Sequence, residues 1–129
     1  ADGVHMGRDD GDVAAVRAAL GPDRLVGVSC YGDLDRARAA VEAGADYLAF
    51  GSMYPSPTKP EAAVVPLSIF AAARAFTDRP LVAIGGINAD NIAEVTAAGA
   101  DSVAVVDAVS GAADIEAATA RLIARGFGE

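Results

Sequence analysis

The chain has 129 residues, of which 53% are hydrophobic and only 5% aromatic, and it carries a formal net charge of −8. This length suits one domain, or a large part of one, with a core built from aliphatic side chains. The acidic balance argues against nucleic acid and anionic membranes as partners, although a few local donors or a bound cation can still hold a phosphorylated small molecule.

Five short apolar runs predict β-strands. Each run is apolar throughout rather than alternating, so we expect each strand to be buried on both faces, as parallel strands are. The segments that follow the runs have apolar residues at helical spacing. In chain order, the predicted strands cover residues 3–6, 25–29, 47–51, 81–84 and 102–106, and the predicted helices cover residues 12–20, 34–43, 67–76, 89–98 and 115–124.

The alternation of strands and helices predicts an α/β fold. The tripeptide Gly-Ala-Asp follows two predicted helices, at 44–46 and 99–101, and its glycine is suited to end a helix in a left-handed turn. This repeat is typical of a parallel barrel or a doubly wound sheet. Because a TIM (β/α)8 barrel needs about 250 residues, we predict one partial barrel domain over residues 1–129, the C-terminal portion of a longer protein. An open five-stranded sheet is the alternative.

The loop after the third predicted strand is the strongest functional signal. Three prolines between residues 54 and 60 prevent any helix or strand from continuing there. The hydroxyls of Ser56 and Thr58 and the ammonium of Lys59 therefore follow the carboxyl end of a strand, where βα proteins build active sites. Such donors suit a phosphate or diphosphate, and a rigid surface loop with a solvated lysine is the alternative.

Polar residues also follow the first two predicted strands. Asp9 and Asp10 form an acidic pair, which suits Mg²⁺ or, alternatively, caps the next helix. Ser29 ends the second strand, and its hydroxyl can donate to a phosphate. His5 is the only histidine, and we interpret it as structural because it lies on a strand.

The loops after the last two strands complete the predicted site. Gly85 and Gly86 precede a helix and offer backbone N–H groups to a phosphate, although a tight turn alone would also need glycine. Val106 and Asp107 follow the neighbouring strand. The last two strands of a barrel are a frequent phosphate-binding pair.

These motifs together resemble the thiamine phosphate synthase family, whose members are (β/α)8 barrels. By the resemblance, the five predicted strands are the fourth to eighth of the barrel, and the N-terminal strands are missing here. The resemblance covers essentially the whole chain and rests on Ala1-Asp2-Gly3-Val4-His5, Gly7-Arg8-Asp9-Asp10, Gly27-Val28-Ser29, Gly44-Ala45-Asp46-Tyr47, Pro55-Ser56-Pro57-Thr58-Lys59-Pro60, Ala83-Ile84-Gly85-Gly86-Ile87 and Gly99-Ala100-Asp101.

The resemblance implies a transferase that joins hydroxymethylpyrimidine diphosphate to thiazole phosphate by a dissociative mechanism, with Mg²⁺ as cofactor. It implies that Asp10 is a Mg²⁺ ligand and that Ser29 and Lys59 are catalytic residues in contact with the pyrimidine diphosphate. Since the family's other diphosphate residues belong to the missing strands, we expect the isolated chain to lack appreciable activity. The residues implied to hold the thiazole phosphate are Ser56, Pro57, Thr58, Gly86, Val106 and Asp107.

Two residues depart from the family pattern. Arg8 stands where the family usually has Gln, and a salt bridge between Arg8 and Asp10 would compete with metal binding. Asp107 stands where the family usually has Ser, and its carboxylate would repel a phosphate unless it caps the following helix. A thiazole tautomerase-like relative and a non-catalytic phosphate-binding half-barrel are the alternatives, but the Asp9-Asp10 and Thr58-Lys59 pairs favour the synthase.

The single cysteine and the hydropathy pattern bear on location. Cys30 cannot form an intrachain disulfide, which fits a reducing cytosol. No apolar run approaches the roughly 18–20 residues of a transmembrane helix. We therefore expect a cytoplasmic enzyme with small phosphorylated pyrimidine and thiazole substrates, with no nucleic-acid or membrane partner and with homo-oligomerisation left open.

Overall fold

A computed structural model describes residues 1–55 and 64–128 of the chain. They form a five-stranded sheet whose strands follow one another in chain order, each parallel to its neighbours. A doubly wound sheet reverses its strand order part-way, so this order is the one found along a barrel wall, and the predicted α/β class is confirmed. The strands are β1 (Gly3–Met6), β2 (Leu25–Tyr31), β3 (Tyr47–Phe50), β4 (Leu81–Ile84) and β5 (Ser102–Ala104).

Six helices accompany the sheet in the described part of the chain. Aspartates cap three of them, because Asp12, Asp33 and Asp114 each accept a hydrogen bond from a backbone N–H of the first turn. Among these six, no helix has both the length and the apolar character to span a membrane. The helices are α1 (Val13–Leu20), α2 (Leu34–Glu42), α3 (Ile69–Arg74), α4 (Ile92–Ala97), α5 (Asp107–Ser110) and α6 (Ile115–Phe127).

One hydrophobic core lies between the helices and one face of the sheet. Alternate strand residues point into it, including Val26 and Val28 of β2 and Leu48 and Phe50 of β3. Phe50 meets Phe70 of α3 edge-to-face, with ring centroids 5.8 Å apart. The opposite face of the sheet carries polar side chains, such as His5 and Ser29, and apolar ones, such as Ile84.

The expectation that every strand is buried on both faces is wrong. Val4 of β1 is 41% exposed, and Ile84 of β4 is 44% exposed. β1 has one strand neighbour among the described residues, so its core-facing side chain lies at the rim of the core. Ile84 belongs to the face opposite the core.

Several predicted boundaries also differ from the structure. β2 continues to Tyr31 after a shift in its pairing with β3. β5 ends at Ala104 rather than at residue 106, because α5 begins at Asp107 and the Ser110 N–H donates to the Val106 carbonyl at 2.7 Å. The helices α3 and α4 are shorter than predicted, and α6 is longer.

An arginine–aspartate pair, the first clamp, fastens the amino ends of β2 and β3. One carboxylate oxygen of Asp46 accepts hydrogen bonds from the Val26 N–H, at 2.8 Å, and from the guanidinium of Arg17. Arg17 also donates to the carbonyls of Gly44, Gly21 and Arg24. Burial alone would raise the pKa of Asp46, but the Val26 N–H and Arg17 outweigh it and hold that pKa below its usual value.

The second clamp repeats this arrangement at the amino ends of β4 and β5. Arg74 Nη2 lies 2.5 Å from Asp101 Oδ2, which also accepts the Leu81 N–H at 2.9 Å. In both clamps the aspartate is 20 residues from the strand amide that it binds. The repeated Gly-Ala-Asp tripeptide therefore ends a helix at its glycine, with φ of +99° and +119°, and fixes the next strand with its aspartate.

Candidate active site

His5, Ser29 and Tyr47 meet on the sheet face opposite the core. His5 Nε2 lies 2.7 Å from Ser29 Oγ, and His5 Nδ1 lies 2.9 Å from the Tyr47 hydroxyl oxygen. The imidazole and phenol rings stack with centroids 5.6 Å apart. Strand pairing explains the meeting, since Gly27 of β2 pairs with His5 on one side and with Tyr47 on the other.

Gly27 makes room for this cluster. A Cβ atom at residue 27 would lie 1.8 Å from Cζ of Tyr47, a separation that no pair of side chains tolerates. The phenol ring can lie across β2 only because this residue is glycine, which is the usual meaning of glycine inside a strand. The backbone beneath the cluster is also held, because Arg36 Nε donates to the Ser29 carbonyl at 2.6 Å.

Asp10 lies in the exposed loop after β1. One of its carboxylate oxygens accepts the Gly7 N–H at 2.6 Å. The cap of α1 is Asp12, so helix capping does not occupy the Asp10 side chain.

Arg8 is turned toward Tyr31 instead of Asp10. Its guanidinium carbon lies 4.3 Å from the centroid of the Tyr31 ring, and its backbone N–H donates to the Tyr31 hydroxyl at 3.1 Å. The ion pairs found within residues 1–55 and 64–128 do not include Arg8. The salt bridge to Asp10 that was considered from the sequence is therefore not formed, and Arg8 makes a cation–π contact instead.

A cavity of about 700 Å³ lies between the β4–α4 turn and the residues that follow β5. Gly86, Val106 and Asp107 all line it, so the structure brings together three residues predicted to surround one phosphate. The turn needs glycine twice, because Gly85 and Gly86 have φ of +106° and +66°. Val106 occupies the cap position of α5, and no side chain caps that helix, so Asp107 does not have the capping role considered for it.

Tyr54 fixes the chain next to this cavity. Its N–H donates to the Gly85 carbonyl at 3.1 Å, and its hydroxyl donates to Glu94 of α4. Burial and then the Glu94 carboxylate raise the pKa of Tyr54 to about 12. Because Pro55 follows directly and lines the cavity, the loop that carries the predicted phosphate ligands starts at this edge of the sheet.

Four predicted ligands lie in the segment 56–63, outside the described residues, and their roles stay predictions. The chain is described again at residue 64, and the Val65 N–H donates to the Ser52 carbonyl at 2.8 Å. The described ends of the segment are thus both at the carboxyl edge of β3. The four residues are Ser56, Pro57, Thr58 and Lys59.

Comparison with known sequences decides the family. Residues 1–109 match the sequence model of the family described as thiamine monophosphate synthase. The chain belongs to this family. A relative from Halorhodospira halophila named thiamine-phosphate synthase is 58% identical over 125 residues, which are 97% of this chain and 60% of the relative. This member of the thiamine monophosphate synthase family thus spans about 60% of that relative's length.

Solved structures agree with the assignment. Thiamine phosphate pyrophosphorylase from Pyrococcus furiosus is 38% identical, with a TM-score of 0.85, over 98% of this chain and 60% of that protein. A 3-hexulose-6-phosphate synthase from Salmonella typhimurium is 26% identical, with a TM-score of 0.75, over 98% of this chain and 62% of that protein. Both likenesses extend over nearly all of this family member.

Asp10 is the carboxylate that the resemblance implies for Mg²⁺ in this family member, and Asp9 beside it is exposed as well. No group of three or more His, Cys, Asp or Glu side chains suited to a metal occurs within residues 1–55 and 64–128. Mg²⁺ is commonly bound through one or two carboxylates together with substrate phosphates and water. The exposed Asp10 carboxylate fits one position of such a site, with the remaining positions left to a phosphorylated ligand and water.

From the sequence, Ser29 was predicted to belong to the site, whereas its neighbour His5 was interpreted as structural and Tyr47 was given no role. Two signals would have found them. Side chains alternate between the two faces of a strand, so residues paired across three strands share a face. Gly27, within an apolar run, indicates that another group approaches that strand closely.

Proposed function

We propose that this chain carries the thiazole-phosphate and diphosphate contacts of a thiamine phosphate synthase. That transferase joins hydroxymethylpyrimidine diphosphate to thiazole phosphate and releases pyrophosphate. The observation that carries the proposal is the cavity lined by Gly86, Val106 and Asp107, which lies at the same edge of the sheet as Ser29. Family membership and the name of the relative support the choice of reaction.

The cavity suits the thiazole phosphate. Because Gly85 and Gly86 have no side chains, a phosphate can approach the backbone of their turn closely. Asp107 is the one acidic residue among those that line the described cavity, and it opposes an anionic ligand. Ser56, Pro57 and Thr58 are proposed to complete this part of the site.

The diphosphate is assigned to Ser29, near the carboxyl end of β2, and to residues of the loops after β1 and β3. Ser29 donates a hydrogen bond to it, Lys59 supplies a positive charge, and Asp10 holds Mg²⁺. When bound, Mg²⁺ neutralises charge on the leaving diphosphate. In the proposed dissociative reaction, pyrophosphate leaves first and the thiazole nitrogen attacks the resulting pyrimidine cation. The chain's own residues then need to stabilise charge rather than supply a strong base.

The proposal includes the architecture of the whole protein. Five parallel strands in sequential order correspond to five of the eight strands of a closed barrel, and we assign them to the fourth to eighth. The chain matches 60% of the Halorhodospira halophila relative, which is compatible with part of a barrel. The isolated 129-residue chain is accordingly expected to show no appreciable synthase activity.

A chimera tests the proposed reaction. This chain replaces the matching part of the Halorhodospira halophila relative, and the product is assayed with hydroxymethylpyrimidine diphosphate, thiazole phosphate and Mg²⁺. We expect thiamine phosphate to form, and we expect Ser29→Ala in the chimera to lower kcat/KM about 10–100-fold, the effect of one lost charge-assisted hydrogen bond. Ser68→Ala is the matched control, because Ser68 makes no side-chain capping bond on α3.

A folded chimera that forms no thiamine phosphate would contradict the proposed reaction. Equal activity of the Ser29→Ala and Ser68→Ala chimeras would show that Ser29 has no part in the proposed reaction. Turnover by the isolated chain would contradict the expectation that five βα units are insufficient.

A further inference from the structure

The two hydrogen bonds that join Tyr47, His5 and Ser29 run in one direction, from donor to acceptor along the series. A neutral imidazole carries one proton, so one ring nitrogen donates a hydrogen bond and the other accepts one. Both ring nitrogens of His5 face a hydroxyl, at 2.7 and 2.9 Å. His5 therefore accepts from one hydroxyl and donates to the other, and the two possible orders give Ser29 opposite roles.

The acidity of the two hydroxyls decides the order. A phenol titrates near pH 10, whereas the alcohol of serine does not titrate in the range of protein chemistry, so the phenol is the stronger donor. The Tyr47 hydroxyl therefore donates to Nδ1 of His5. The proton of His5 is then on Nε2 and donates to Ser29 Oγ, and the Ser29 hydroxyl hydrogen points away from the imidazole.

We propose that His5 is a positioning residue that presents the Ser29 hydroxyl as a hydrogen-bond donor to an oxygen of an anionic diphosphate. The inference rests on the proposed function, in which Ser29 contacts the diphosphate. In the series Tyr47, His5, Ser29 and phosphate, each donor polarises the next one. The reverse order would direct the lone pairs of Ser29 Oγ at a phosphate oxygen, and the two would repel each other.

The surroundings of the imidazole support a fixed orientation. Stacking against Tyr47 restrains the plane of the His5 ring, and Gly27 allows Tyr47 to lie where its hydroxyl reaches Nδ1. Because Arg36 holds the Ser29 carbonyl, the Ser29 backbone is fixed as well. The role assigned to His5 therefore goes beyond the structural one expected from the sequence.

The tautomer can be read directly, because His5 is the only histidine in the chain. We expect the ¹⁵N NMR spectrum of the labelled chain, recorded near pH 8.5 where an imidazole is ordinarily neutral, to show the Nε2–H tautomer. Tyr47→Phe keeps the stacked ring but removes the donor, so the spectrum should shift toward a mixture of tautomers. The Nδ1–H tautomer in the unmodified chain would overturn the proposal.

Binding of inorganic pyrophosphate to the chimera, measured by calorimetry with Mg²⁺ present, tests the consequence for the ligand. We expect His5→Phe to weaken binding about five- to tenfold, the effect of a misdirected hydrogen bond. His5→Gln, whose amide nitrogen can take the place of Nε2, should recover most of that loss. His5→Phe with unchanged affinity would overturn the proposal, provided that its urea midpoint shows a folded protein.

The outcomes separate this inference from the proposed reaction. A chimera that binds pyrophosphate with the expected His5 dependence but forms no thiamine phosphate would contradict the reaction and support the inference. If the chimera forms thiamine phosphate but the spectrum of the labelled chain shows the Nδ1–H tautomer of His5, the reaction is supported and the inference is overturned.

Discussion

Polar side chains make different kinds of contact at the amino edge and at the carboxyl edge of the sheet. At the amino edge, Arg17 and Asp46 of the first clamp bind each other, a strand amide and nearby carbonyls. At the carboxyl edge, Asp10 is exposed and makes one hydrogen bond to the Gly7 N–H, while Asp107 lines a cavity. Polar groups whose partners lie within the chain hold the fold, and polar groups that face a cavity or solvent remain available to a ligand.

Breaking the first clamp is expected to give the largest effect on stability. Arg17→Met keeps much of the side-chain volume but removes the guanidinium that donates to Asp46 and to three backbone carbonyls. We expect the free energy of unfolding to fall by about 2–3 kcal/mol, measured by urea unfolding. A loss below about 0.5 kcal/mol would mean that the amino edge is no more structural than an ordinary exposed ion pair.

Breaking the second clamp sharpens the comparison, because its chemistry is the same and its exposure is greater. The side chains of Arg74 and Asp101 are 36% and 49% exposed, against 19% and 28% for Arg17 and Asp46. We expect Arg74→Met to lower the free energy of unfolding by about 1 kcal/mol, since water screens an exposed pair. Equal losses in Arg74→Met and Arg17→Met would show that exposure does not set the strength of a clamp.

A substitution at the carboxyl edge should change binding and leave stability nearly unaltered. Asp107→Ser removes a negative charge from the lining of the cavity, so we expect thiazole phosphate to bind about three- to tenfold more tightly, measured by calorimetry. Asp23→Ser removes the same charge from an exposed turn before β2 and serves as the control. Unchanged affinity in Asp107→Ser would place the phosphate outside this cavity.

The smallest expected effect concerns Tyr54, the internally bonded group at the carboxyl edge. Its pKa of about 12 lies above the usual value of 10, so its contribution to stability is present below pH 10 and is lost as the pH rises toward 12. Glu94→Gln removes the carboxylate, and burial remains as the larger cause. The pKa should therefore fall part of the way, as followed by ultraviolet titration.

Tyr54→Phe assigns that titration. The variant keeps the two other tyrosines, so the part of the ultraviolet signal that it loses belongs to Tyr54. If Tyr54 ionises near pH 10 both in the unmodified chain and in Glu94→Gln, the contact between Tyr54 and Glu94 does not persist in solution.

Prediction from the sequence succeeded where the deciding interactions are local. The strands 3–6 and 81–84 were predicted with the observed ends, because short apolar runs bounded by polar or glycine residues determine them. The predicted end of β5 was wrong because α5 begins at Asp107. The four residues of α5 carry no sequence signal that predicts a helix. The loops after β4 and β5 were rightly placed side by side, since they follow neighbouring parallel strands.

Long-range pairs could not be predicted in the same way. Arg17 precedes its partner Asp46 by 29 residues, and His5 precedes Tyr47 by 42. Such pairs follow from the register of the strands, which composition and periodicity do not give. The family resemblance implied a role for Ser29 but gave no indication of the orientation that we propose for its hydroxyl.

The equal spacing of the two clamps limits where the sheet can be divided. Each aspartate binds an amide 20 residues earlier, in the preceding strand, and an arginine of the helix that comes before that strand. A cut at Gly44 or Gly99 would therefore separate the aspartate from both of its partners. A protein engineer who rebuilds this sheet has to move β2 together with β3, and β4 together with β5, each pair with the helix before it.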